Sequence, residues 1–157
     1  MPAGSEPAAL SPLPRTWRPF GPRLAAVGFG GLLVGAFLAL WFTFPPETRA
    51  QFSVLQRVTV IFFILVGVAL LYALARSRVT ATEAAVVVVN GYRKRSFEWA
   101  EVVAIRMPPG APWPTADIAD GSTVSLLGIQ GSDGVRALTA VAEVRALLDA
   151  RSGRPGA

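Results

Sequence analysis

Two long apolar runs without a single charged residue constrain this chain more than any other feature. Leu24 to Phe44 contains no Asp, Glu, Lys or Arg, and neither does Val58 to Ala75. At about 1.5 Å per helical residue, each is long enough to cross a hydrocarbon core roughly 30 Å thick. A signal peptide would need a shorter apolar region, about 7–15 residues, followed by a small-residue cleavage site. Here Pro45, Pro46 and a second apolar run follow instead. The reading is a two-helix transmembrane hairpin, with span 1 at 24–44, an extracytoplasmic loop at 45–57 and span 2 at 58–75.

Arginine sets the orientation. Arg15, Arg18 and Arg23 precede the first run and Arg76 and Arg78 follow the second, while the loop carries Arg49 and Arg57. Positive residues near span ends are retained inside, so both termini are expected in the cytoplasm of an inner (plasma) membrane protein. The net charge of +5 is explained by that bias. Nucleic-acid binding would need a basic helix or basic–aromatic pattern, and none is present, so no nucleic-acid partner is expected.

The region before the first run, residues 1–23, is punctuated by Pro2, Pro7, Pro12, Pro14, Pro19 and Pro22. Such spacing forbids a helix and offers little apolar surface, so a disordered cytoplasmic tail is expected. A second disordered tail is expected at 151–157.

From Arg78 the periodicity becomes that of strands. Arg78 to Thr82, Ala85 to Val89, Val102 to Arg106, Thr115 to Ile118 and Ser122 to Leu127 read as strands, with a further one after Asn90-Gly91. Asn90-Gly91 is the preferred central pair of a type I′ hairpin turn. Along the strand that follows, Arg93, Arg95 and Phe97 share one face, and Tyr92, Lys94 and Ser96 the other. Leu138, Val141, Val144, Leu147 and Leu148 then recur at helical spacing, with Asp133 as the expected N-cap and Gly153 and Pro155 as the stop. The fold class is α+β: a two-helix transmembrane hairpin, then over 78–150 a curved antiparallel sheet or partial barrel capped by a C-terminal helix.

The residues exclude much chemistry. There is no cysteine and no histidine, which removes disulfides, thiol nucleophiles, Cys/His zinc sites and Ser-His-Asp arrangements. Asp117, Asp120 and Asp133 are the nearest approach to a carboxylate cluster, but Asp120-Gly121 and Asp133-Gly134 are explained as turn and cap chemistry. No catalytic residue, metal site or cofactor is expected, and the chain reads as non-enzymatic. The uncharged spans also argue against a channel or pump.

Three features remain as candidate sites. Arg76, Arg78, Arg93, Lys94 and Arg95 can contact anionic headgroups, although basic flanks are expected beside any span. Gly31 and Gly35 have the spacing of a close helix seam, either between two copies or against the second span at Ala69 and Ala73. Trp113, in Pro108-Pro109-Gly110-Ala111-Pro112-Trp113-Pro114, reads as a lid over an open sheet end rather than an interaction anchor.

The order of tail, two spans, meander and terminal helix resembles that of actinobacterial two-pass membrane proteins with a bacterial PH-like domain, and more narrowly the low molecular weight protein antigen 6 group. Arg49-Ala50-Gln51-Phe52, Asn90-Gly91-Tyr92-Arg93, Phe97-Glu98-Trp99, Glu101-Val102, Asp120-Gly121 and Gly128-Ile129-Gln130-Gly131-Ser132-Asp133-Gly134 carry the resemblance. It implies a PH-like partial barrel capped by a helix, with no catalytic residues to transfer. About seventy residues is short for a complete seven-strand barrel, which predicts an open edge able to recruit a protein partner or a second copy. Membrane lipids are the other expected partner, with anionic-lipid sensing as the alternative function.

Overall fold

The computed structural model describes residues 12–152. Strand β1 (Arg15–Trp17) comes first, followed by helix α1 (Phe20–Thr43), short helix α2 (Pro46–Gln51) and helix α3 (Val54–Arg76). Then come β2 (Arg78–Ala81), β3 (Ala85–Asn90), β4 (Arg93–Glu98), β5 (Val102–Arg106), β6 (Thr115–Ile118), β7 (Thr123–Ser125) and helix α4 (Val135–Ser152). Single 3₁₀ turns, Trp99–Glu101 and Gly131–Asp133, precede β5 and α4.

Helices α1 and α3 are both long and apolar enough to cross a membrane. They run antiparallel and pack through glycine: a Cβ on Gly30 would meet Leu71 at 3.5 Å, and one on Gly67 would meet Leu33 at 3.3 Å. Ser53 starts α3 with a capping box, accepting from the Gln56 N–H at 3.2 Å while the Gln56 side chain accepts from the Ser53 N–H at 2.9 Å. Both helices extend several residues past the apolar runs at their N-terminal ends, because Pro19 and Ser53, not the charge boundaries, fix where the helical backbone begins.

Beyond the helices, β1–β2–β3–β4 form one antiparallel sheet and β5–β6–β7 another. Val79, Ala81, Val86 and Val88 from the first sheet pack against Val102, Ile105, Ala116, Ile118 and Val124 from the second. Helix α4 closes the assembly with Ala137, Val141, Val144, Leu147 and Leu148. This seven-strand, one-helix arrangement is PH-like.

One strand of the seven comes from an unexpected place. Arg15, Thr16 and Trp17 pair with Ala81, Thr80 and Val79, so the stretch expected to be a disordered tail completes the sheet. Pro22 sits in the first turn of α1, where proline is tolerated; ahead of it the flanking prolines favour extended backbone, and Thr and Trp suit a strand. Trp17 is buried at 8% exposure and its indole N–H donates to Glu143 on α4 at 2.8 Å, while Arg15 ion-pairs with the same carboxylate at 3.2 Å. The helical hairpin is therefore an insertion between two paired strands of one domain, and β1 covers the edge of β2 while β4 is left as an outer strand.

Two smaller expectations also change. The hairpin turn is Gly91-Tyr92, not Asn90-Gly91: Asn90 still pairs with Arg93, and only Gly91 has positive φ, at 58°. Asn90 is held in the ladder because its side chain donates to the Ser125 carbonyl at 2.6 Å and accepts from the Leu127 N–H at 3.2 Å. Arg151 and Ser152 continue α4 rather than starting a tail. Residues 1–11 and 153–157, which carry the rest of both tail expectations and the Gly153–Pro155 stop, lie outside the described residues.

Candidate functional site

The chemistry-bearing side chains gather where the helices enter the domain. Asp133, expected to cap α4, instead accepts from the backbone N–H groups of Phe20 at 2.9 Å and Gly21 at 2.8 Å. Pro19 offers α1 no side-chain cap, so a carboxylate distant in sequence satisfies two of its orphan donors and meets the positive end of the helix dipole. On the other side, Ser77 donates to the Ala73 carbonyl at 3.1 Å and accepts from the Gly91 N–H at 3.0 Å. Tyr92 reaches down α3 to donate to the Ala69 carbonyl at 2.7 Å. The Arg76 guanidinium lies over the rings of Tyr72 and Tyr92, 5.8 and 5.6 Å from their centroids. Gly128 touches the α3–β2 junction so closely that a Cβ there would fall 2.4 Å from the Val79 nitrogen.

The five basic residues singled out in the sequence do not converge. Arg78 and Lys94 both pair with Val89 and share its face, whereas Arg95 pairs with Val88 on the opposite, inward face. Arg93 and Arg95 line a small cleft with Thr123 and Ser125, and Arg76 is engaged by the two tyrosines. What Arg93, Lys94 and Arg95 do share is β4, which is the outer strand of its sheet and exposed from Arg93 to Ser96.

The carboxylates are dispersed. Asp117 ion-pairs with Arg106 at 2.9 Å. Asp120 accepts from the Ser122 N–H at 2.8 Å, and its carboxyl is held below the ordinary aspartate value, first by the Ser122 side-chain and backbone hydrogen bonds and last by the charge of Arg95. No group of three metal-ligating side chains occurs among the described residues.

A Cβ added to Gly31 or Gly35 would meet nothing within 4 Å; the α1–α3 seam uses Gly30 and Gly67 instead. Trp113 is 37% exposed. Its loop is held through the Pro112 carbonyl, which accepts from Gly131 at 2.8 Å, and the Pro114 carbonyl, which accepts from Leu126 at 2.9 Å just beyond the Thr115–Ser125 pair that ends the β6–β7 ladder.

A groove that sequence reasoning missed runs between β1 with the first turn of α1 and the start of α4. It has a volume of about 440 Å³ and includes Arg18, Phe20, Arg23, Asp133, Arg136 and Glu143 in its lining. The one signal in the sequence was the basic run before the first helix, which reads equally as a topogenic flank.

The two packed sheets and closing helix define a PH-like domain. In agreement, residues 76–147 match a protein family described as Bacterial PH domain; the matched stretch begins at the end of α3 and leaves out β1. The chain is also similar to uncharacterized proteins of Mycobacterium tuberculosis and Mycobacterium bovis, each 36% identical over 85 residues, or 54% of this chain and 54% of the relative. It thus spans about half the length of the curated relatives it matches. No solved structure matches.

Proposed function

We propose that α1 and α3 cross the inner membrane as an antiparallel hairpin and hold the PH-like domain at the cytoplasmic face as a non-enzymatic module that recruits a protein partner along β4. The observation that carries this reading is the insertion of the hairpin between β1 and β2. Both helices leave and re-enter one sheet on adjacent strands, so the domain sits directly on the bilayer with a fixed orientation. The arginine count, with Arg15, Arg18, Arg23, Arg76 and Arg78 on the domain side against Arg49 and Arg57 in the loop, supports the cytoplasmic side. The resemblance to the actinobacterial two-pass group supports the same order.

Strand β4 offers unpaired backbone groups to an added strand. Its Arg93, Lys94 and Arg95 would stand against their own copies in a β4–β4 pair, and like charges opposed across strands repel. An acidic extended segment of another protein fits better than a second copy. Asp117, Asp120, Asp133 and Glu143 already have turn, cap or ion-pair roles, which supports a binding rather than a catalytic module.

The absence of cysteine makes the test direct. In intact spheroplasts an impermeant maleimide is expected to label Gln51→Cys and to leave Ser96→Cys unlabelled; the reverse pattern overturns the orientation. A photo-crosslinking residue at Ser96 is expected to give a discrete heavier adduct in native membranes, lost with Arg93→Glu/Arg95→Glu. Recovery of monomer alone overturns the β4 reading.

A further inference from the structure

The groove beside the first turn of α1 has an unbalanced charge. Glu143 is engaged by Arg15 and by the Trp17 indole N–H, and Asp133 by the Phe20 and Gly21 N–H groups. That leaves Arg18, Arg23 and Arg136 lining one concave surface, none of them within ion-pair distance of a carboxylate among the described residues. All three are exposed. Arg136 is positioned by the Phe20 ring, with its guanidinium 4.9 Å from the centroid, and Arg23 by the first turns of α1. Guanidinium groups suit phosphate because their planar forks donate paired hydrogen bonds.

Below the arginines the surface turns apolar. Leu24 and Val27, further along α1, are 65% and 73% exposed, and Phe20 is 58% exposed. On α4, Val135, which lines the same groove, is 78% exposed. A ligand matching this surface carries an anionic phosphate at one end and hydrocarbon at the other.

We infer that this groove is a binding site for an anionic phospholipid, with Arg18, Arg23 and Arg136 around the phosphodiester headgroup and the acyl chains lying along Leu24 and Val27. The inference rests on the proposed membrane insertion of α1 and α3 but not on the side of the membrane or on a partner at β4. The site differs from the basic residues of β4, which divide between two faces of a strand. It ties the lipid to both halves of the split domain, since Arg18 and Arg23 flank the start of α1 and Arg136 belongs to α4.

The test uses the full chain in neutral detergent, titrated with phosphatidylglycerol, with phosphatidylcholine and with free glycerol phosphate, and read by native mass spectrometry. Phosphatidylglycerol is expected to bind at least about tenfold more tightly than phosphatidylcholine, with each arginine contributing about fivefold. Arg18→Gln/Arg23→Gln/Arg136→Gln is expected to abolish the preference, while Arg93→Gln/Lys94→Gln/Arg95→Gln retains it. Equal binding of both lipids, equal loss in both triple variants, or equal affinity for glycerol phosphate each overturns the site, the last by assigning it to a soluble anion. The maleimide pattern reports separately on membrane orientation, and the Ser96 adduct on β4, so loss of lipid preference with both retained indicts the groove alone.

Discussion

Asp133 acts on an element far from its own place in the chain. Its two oxygens accept the first N–H groups of α1, and a lost cap costs about 1 kcal/mol, within a range of roughly 0.5–2. Asp133→Ala is therefore expected to lower the unfolding midpoint of the chain in detergent by a few degrees, followed by tryptophan fluorescence. Asp133→Asn, which keeps an acceptor, should recover part of the loss; identical behaviour of the two variants would argue against a cap. Asp120 has a different signature. Ser122 and, to a smaller extent, Arg95 favour its charged form, so its stabilisation is complete above the unfolded aspartate value and is lost as pH falls through the depressed folded value. A carboxyl carbon titration should place its midpoint below that of an unperturbed aspartate, and Ser122→Ala should move it back upward. A midpoint unmoved by Ser122→Ala, which keeps the Ser122 N–H, would show that the hydroxyl's hydrogen bond does not set it.

At the scale of elements, the strand preceding α1 decides whether the domain is complete. Trp17 pairs with Val79, so the chain directions at Pro19 and Ser77 are those of a hairpin whose loop has been replaced by two long helices. Residues 12–19 joined to 77–152 by a short Gly/Asn turn are expected to unfold cooperatively in urea, whereas 77–152 alone should lose that cooperativity or unfold at markedly lower urea. Equal midpoints for the two would show that β1 is dispensable. This strand also shows where sequence reading reaches its limit. The helices were legible because long uncharged runs have few alternative fates, and β2 to β7 because alternation and turn glycines repeat at short range. Three residues among prolines, whose partner strand lies beyond the whole hairpin, carry no comparable local signal. The groove was illegible for the same reason: Arg18, Arg23 and Arg136 become neighbours only once β1 has docked and α4 has packed, while Arg93 to Arg95 stood out as a consecutive run and then separated by strand alternation.

Helices and domain are joined by short chain connections and by side-chain contacts on both helices. The α1 side is held by Asp133 and by Arg136 over Phe20. The α3 side is held by Ser77, by Tyr92 on Ala69 and by Arg76 between two tyrosines. Two attachments on different helices resist rocking in a way that one linker cannot, so the tilt of the sheets relative to the hairpin is set by the fold. Spin labels at Val60→Cys and Ser96→Cys are expected to give a narrow distance distribution by pulsed dipolar spectroscopy. Tyr92→Phe removes only the hydroxyl that reaches Ala69 and should broaden it slightly. Tyr92→Ala combined with Asp133→Ala loosens both attachments and should broaden it severalfold while the far-ultraviolet dichroism stays the same. An unchanged width in the double variant would mean that these contacts do not fix the tilt. In that case β4 and the arginine groove would take a range of angles relative to the hairpin, and neither surface could keep the fixed height above lipid headgroups that the proposed insertion implies.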